Sequence, residues 1–120
     1  MTNVMTGDNV KEIVYLPIAE LYPHPDNPRK DVGDVSELAD SIRAKGVMQN
    51  LTVVRGHYKN GSREAVDGGY TVIIGHRRRA AAIKAGLATL PCIIVDMDYK
   101  GQVSTMLLEN MQRVDLTPYE

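Results

Sequence analysis

The chain has no tryptophan and no phenylalanine in 120 residues, so its interior must be filled by Val, Ile, Leu, Met and a few of six tyrosines. A single cysteine, Cys92, excludes an internal disulfide and a cysteine-rich zinc site. It lies in the apolar run Leu90-Pro91-Cys92-Ile93-Ile94-Val95, where a thiol reads as a small buried hydrophobe rather than a nucleophile. Charge of one sign is not in excess: the formal net charge is −1, so bulk attraction to nucleic acid has no support and any basic site must be local. No apolar run approaches the roughly 18 residues of a membrane span, and no secretory signal pattern is visible. The expectation is a cytoplasmic protein without a membrane partner.

What is present is enough for one domain, with 43% apolar residues over a length suited to a single core. Residues 1–11 are polar and unpatterned and read as a flexible tail. The domain proper is expected over residues 12–114. Ile13-Val14-Tyr15-Leu16 reads as a strand, and Pro17, Pro23, Pro25 and Pro28 punctuate a following loop that runs to Lys30. A helix then starts near Asp34, a candidate cap with Glu37 as the reciprocal partner. Val35, Leu38, Ala39 and Ile42 fall on one face of it, and Gly46 stops it. Leu51–Arg55 and Tyr70–Ile74 read as strands flanking a polar, glycine-bearing hairpin region, and Pro91–Val95 as a further strand. The alternation predicts an α+β domain: a small mixed sheet flanked by helices.

Gly75-His76-Arg77-Arg78-Arg79-Ala80-Ala81 stands where a strand hands over to a helix expected over about His76 to Ala85, with Gly86 as its stop. Cations in a first helical turn oppose the dipole by about 0.3–1 kcal/mol each. Three together make sense if an anion sits there, held by free N–H groups and forked guanidiniums aimed at one phosphate. A solvated basic helix start is the plain alternative.

The last helix is expected from Gly101 or Gln102 to Arg113. Val103, Met106, Leu107, Asn110 and Met111 share a face by spacing. Glu109 and Arg113, four apart, make either a surface ion pair or a carboxylate at a metal beside an arginine at a phosphate. Oxygen donors of this kind suit Mg²⁺, with Glu109 and Asn110 as its candidate ligands. Thr117-Pro118-Tyr119-Glu120 has the chemistry of a helix start, so residues 115–120 are expected to open a further helical region and the chain to be a fragment.

Taken in order, three motifs resemble the N-terminal domain of the ParB family of partition proteins over about residues 13–120. Gly46-Val47-Met48-Gln49-Asn50 with the strand to Arg55 is similar to the family's cytidine-side Gly-x-x-Gln-Pro motif. Gly75-His76-Arg77-Arg78-Arg79-Ala80-Ala81 resembles its Gly-Glu-Arg-Arg-x-Arg-Ala phosphate motif, and Glu109-Asn110-Met111-Gln112-Arg113 its Glu-Asn-x-x-Arg motif. The fold family also resembles sulfiredoxin, whose catalytic cysteine would fall at position 75; Gly75 there removes the redox chemistry.

The resemblance implies binding of CTP and Mg²⁺ that gates a homodimeric DNA clamp, with slow CTP hydrolysis, and a partition ATPase as a partner. It places such a protein on the nucleoid or a plasmid. By position, Gly75, Arg77, Arg78 and Arg113 would hold the triphosphate, Gln49 and Arg55 would lie near the nucleoside, and Glu109 and Asn110 would hold metal or phosphate. Glu109 and His76 are the candidate catalytic residues. His76 replaces the family's Glu and Asn50 its Pro, so binding is better supported than hydrolysis. Other readings stay open: a nuclease, an ATP-using phosphotransferase, or a protein-interaction module with a vestigial pocket. His24 and His57 are expected to be surface residues.

Overall fold

A computed structural model describes residues 12–28, 32–47, 49–59 and 61–115, with side chains as far as Met111. The expected tail over 1–11, the end of the proline-rich loop at Arg29-Lys30, the helix start at Thr117–Glu120 and the side chain of Arg113 lie outside the described residues.

Five strands form one mixed sheet. They are β1 (Ile13–Pro17), β2 (Leu21–Tyr22), β3 (Leu51–His57), β4 (Val66–Ile74) and β5 (Thr89–Ile94), in the spatial order β1-β5-β3-β4-β2. β1 runs antiparallel to β5 and β3 antiparallel to β4, whereas β3–β5 and β2–β4 are parallel. The helices are α1 (Ser36–Lys45), α2 (His76–Ala85) and α3 (Tyr99–Asp115). The architecture is the expected α+β one. Two-residue β2 was not legible in the sequence, since it is held only by pairing Leu21 and Tyr22 with Tyr70 and Thr71.

Both faces of the sheet are covered. On one, Leu16, Leu51, Val53, Val72, Leu90 and Cys92 pack with Ala82 of α2. α1 rests on α2 through Val35, Ala39, Ile42 and Ala81. On the other face Val54 and Ile73 meet Met106 of α3. The aliphatic core follows from the missing large aromatics, and alanines at Ala81 and Ala82 let α2 approach closely. Cys92 is fully buried, with its thiol donating to the Leu90 carbonyl at 3.4 Å, and burial pushes its pKa up to about 11. A thiol held protonated this way is a poor nucleophile.

Helix boundaries shift where side chains compete for backbone. Asp34 accepts from the Ser36 N–H at 2.9 Å, and Val35 takes the N-cap position of α1. α3 begins earlier than its apolar spacing suggests, because the Asp98 side chain accepts from the Gly101 N–H at 2.8 Å. The phase of α3 differs too. Leu107 and Met111 are 47% and 59% exposed, and the buried line runs through Gln102 and Met106 instead. The spacing pattern tolerated either phase; the contact with Val54 and Ile73 chose one.

Candidate functional site at the start of α2

The turn from β4 into α2 depends on Gly75, whose φ of 112° lies where side-chain-bearing residues are rare. A Cβ there would meet Leu51 Cγ at 2.7 Å and the Arg78 Nη1 at 3.3 Å. Glycine thus brings the first turn of α2 down onto the start of β3, with its leading N–H groups lacking intrahelical partners.

The three arginines that follow do not share one target. Arg77 reaches the segment before α1, donating from Nε to Val32 O and from Nη2 to Asp34 O, both at 3.0 Å. Arg78 donates to the Asn50 carbonyl at 3.1 Å and to Gln49 Oε1 at 2.8 Å. Arg79 turns inward and donates from Nε to Leu21 O at 3.1 Å. The expectation of three guanidiniums converging on one phosphate is corrected accordingly: carbonyls left over at the ends of β2 and α1 compete for them, and successive helical residues point about 100° apart. Gln49, Gly75, Arg77 and Arg78 are nonetheless gathered at one end of the sheet. Arg55 is not with them. It lies four residues further along β3, opposite Tyr70, beside a separate cleft lined by Glu20, Gly56 and Gly69.

His76 sits among His24, Arg79 and Glu109. Its Nε2 accepts from the His24 backbone N–H at 3.2 Å, which leaves its proton on Nδ1. Burial lowers its pKa from 6.5 to about 4; the neighbouring His24 and Arg79 push the same way and the Glu109 carboxylate opposes them. Glu109, from α3, is thus within electrostatic reach of α2. Glu109 and Asn110 are both half-exposed oxygen donors on adjacent positions, a pair that fits Mg²⁺, which takes one or two protein ligands and completes its shell with phosphate and water. Among the described residues no cluster of three or more His, Cys, Asp or Glu could hold a metal unaided.

A polar network lies beneath this site that spacing and motifs do not announce. His24, expected on the surface, is 3% exposed. Its Nδ1 accepts from the Asp26 N–H at 3.0 Å, so Nε2 carries the proton and donates to Gln102 Oε1 at 3.0 Å. Gln102, 1% exposed, spends its amide on the Tyr58 hydroxyl and the Met97 carbonyl, at 3.1 and 2.9 Å. Tyr99 extends the cluster, donating to Asp26 Oδ2 at 2.6 Å and packing edge-on against Tyr58. The one signal in the sequence was the Pro23-His24-Pro25 frame, which fixes the backbone on both sides of the ring. His57 is a surface residue as expected, stacked on Tyr22.

Comparison with known proteins bears on this arrangement. The chromosome-partitioning protein Spo0J of Thermus thermophilus is 41% identical over 110 residues, covering 90% of this chain and 37% of that protein. C-terminally truncated ParB from Caulobacter crescentus superimposes in its complex with CTP-gamma-S with a TM-score of 0.71 at 34% identity, over 88% of this chain and 56% of that one. In its complex with the centromeric parS site the values are 0.65 and 29%, over 87% of this chain and 50% of that one. Sulfiredoxin from Arabidopsis thaliana matches with a TM-score of 0.56 at 31% identity, over 80% of this chain and 97% of that one. The chain spans a little over a third of the length of the curated relatives it matches. The ParB N-terminal domain pattern matches residues 3–111, and the chain belongs to that family.

Proposed function

We propose that this domain binds CTP at the start of α2 and that the nucleotide gates a DNA clamp formed by two copies of the full-length protein. The observation that carries the reading is the gathering of Gln49, Gly75, Arg77 and Arg78 at the glycine-led start of α2, with the Glu109 carboxylate near enough to act electrostatically on His76. Gly75 leaves the first N–H groups of α2 open to a phosphate. The contact between Arg78 and Gln49 is side chain to side chain and solvent-exposed, so it can be exchanged for a ligand contact while the Asn50 carbonyl still holds the guanidinium. Glu109 and Asn110 would hold Mg²⁺, and that ion would neutralise phosphate charge when bound. The CTP-gamma-S complex of the Caulobacter relative supports the choice of nucleotide, and its parS complex supports DNA as the partner. We place the protein in the cytoplasm, on the nucleoid or a plasmid; among the described residues no helix is long and apolar enough to cross a membrane.

Any hydrolysis is slow on this reading. A neutral His76 whose Nε2 is already engaged by the His24 N–H is poorly placed to take a proton from water. Calorimetric titration with CTP, ATP, GTP and UTP in Mg²⁺ tests the proposal. CTP should bind selectively, and Arg78→Ala should weaken it about tenfold to a hundredfold, the worth of a charged hydrogen bond. ATP preferred over CTP would point to a phosphotransferase, and equal indifference to all four would refute nucleotide binding.

A further inference from the structure

The donors of the three arginines are unequally spent. Arg77 and Arg78 each place two of their guanidinium groups on backbone or amide oxygens. Arg79 uses only Nε, on Leu21 O, and among the described residues its two Nη groups meet neither a hydrogen-bond acceptor nor a carboxylate. This half-buried side chain borders a cleft of about 530 Å³ on α2, walled by Tyr22, His24, Asn27, Tyr58 and His76. Among the described residues no aspartate or glutamate lines that cleft, and His76 faces it as a neutral ring whose Nε2 is already taken. Its volume is that of a small-ligand site, and prolines and tyrosines give it apolar walls around a few polar groups.

A cation removed from water without a counter-charge is costly, and a guanidinium fork matches the paired oxygens of a phosphate. We propose that Arg79 is a phosphoryl-binding residue, its Nη groups holding a phosphate oxyanion inside the His24–His76 cleft, distinct from the contacts of Arg77 and Arg78. The group would come either from the polyphosphate tail of the nucleotide, which rests on the reading above, or from a free inorganic phosphate or pyrophosphate. Burial also lowers the Arg79 pKa, as expected of a cation short of a partner.

Calorimetry with CTP, CMP and inorganic pyrophosphate, each against wild type, Arg79→Gln and Arg79→Lys, decides the matter. The proposal expects Arg79→Gln to lose about tenfold to a hundredfold in affinity for CTP and pyrophosphate, and Arg79→Lys, which keeps the charge but not the fork, to fall between. Loss of CTP affinity with CMP unaffected assigns the nucleotide's outer phosphates; loss of pyrophosphate binding in a domain that binds no nucleotide assigns the free anion and refutes the CTP reading alone. If Arg79→Gln, or Arg79→Lys should the first variant fail to fold, binds CTP and pyrophosphate as wild type does, the proposal is overturned, while CTP selectivity survives by itself. If wild type binds neither probe at millimolar concentration, both fall.

Discussion

Acidification should destabilise this domain through His76. The ring is held neutral in the fold with a pKa of about 4, against 6.5 when solvated. Between those values the unfolded chain binds a proton that the folded chain refuses. Stability is therefore complete above about pH 6.5 and is lost as pH falls toward 4. At 1.36 kcal/mol per pH unit, the cost between pH 7 and 4.5 is about 2–3 kcal/mol, a large part of a small domain's stability. The structural cause is specific: protonation puts a second charge beside Arg79 in a desolvated place, and the Glu109 carboxylate opposes this only in part. The assay is urea denaturation followed by circular dichroism in pH steps, on wild type and on His76→Gln. Glutamine keeps an acceptor for the His24 N–H and does not titrate. Other groups, including the Asp34 carboxyl that its hydrogen bond with Ser36 holds below the usual range, act in both chains and cancel in the difference. Wild type should lose about 2–3 kcal/mol more than the variant over this range. Two curves running parallel from pH 7 to 4.5 would refute the assignment of a buried neutral His76.

Three further outcomes follow from the packing. Gly75→Ala should cost about 2–4 kcal/mol, combining left-handed backbone strain with a clash against the buried Leu51, measurable as a lower urea midpoint. Gln102→Leu should cost about 2–3 kcal/mol by stranding the His24 ring N–H and the Met97 carbonyl, whereas Asn110→Leu, on the half-exposed side of α3, should change stability by less than about 1 kcal/mol. In an alkaline absorbance titration Tyr99 should ionise late, near pH 12, because burial and its hydrogen bond to Asp26 raise its pKa; Asp26→Asn should bring that step down, and an unchanged titration would break the pairing.

Local chemistry is legible in a chain like this one, and it placed much here. Gly75 and Gly86 bracket α2 at the residues the sequence indicates, because a left-handed cap is a property of one residue. The stripe of Val35, Ala39 and Ile42 buried as its period requires. Two of the motifs, each a short run of neighbours, supplied Gln49 and Arg78, which meet in a side-chain hydrogen bond. What escaped was whatever depended on partners far along the chain. His24 and Gln102 are seventy-eight residues apart, and the prolines that frame His24 say nothing of which distant side chain will seal against it.

Composition and spacing alone determined the class of fold, the aliphatic core, the inert Cys92 and the position of the basic helix start. Only the tertiary structure decided how that helix start is used: Arg77 tied to the α1 approach, Arg78 to Gln49, Arg79 turned into the cleft, and Arg55 left apart. The reason is that a guanidinium goes to whichever unsatisfied oxygen the folded chain brings within about 3 Å, and those oxygens belong to segments tens of residues away.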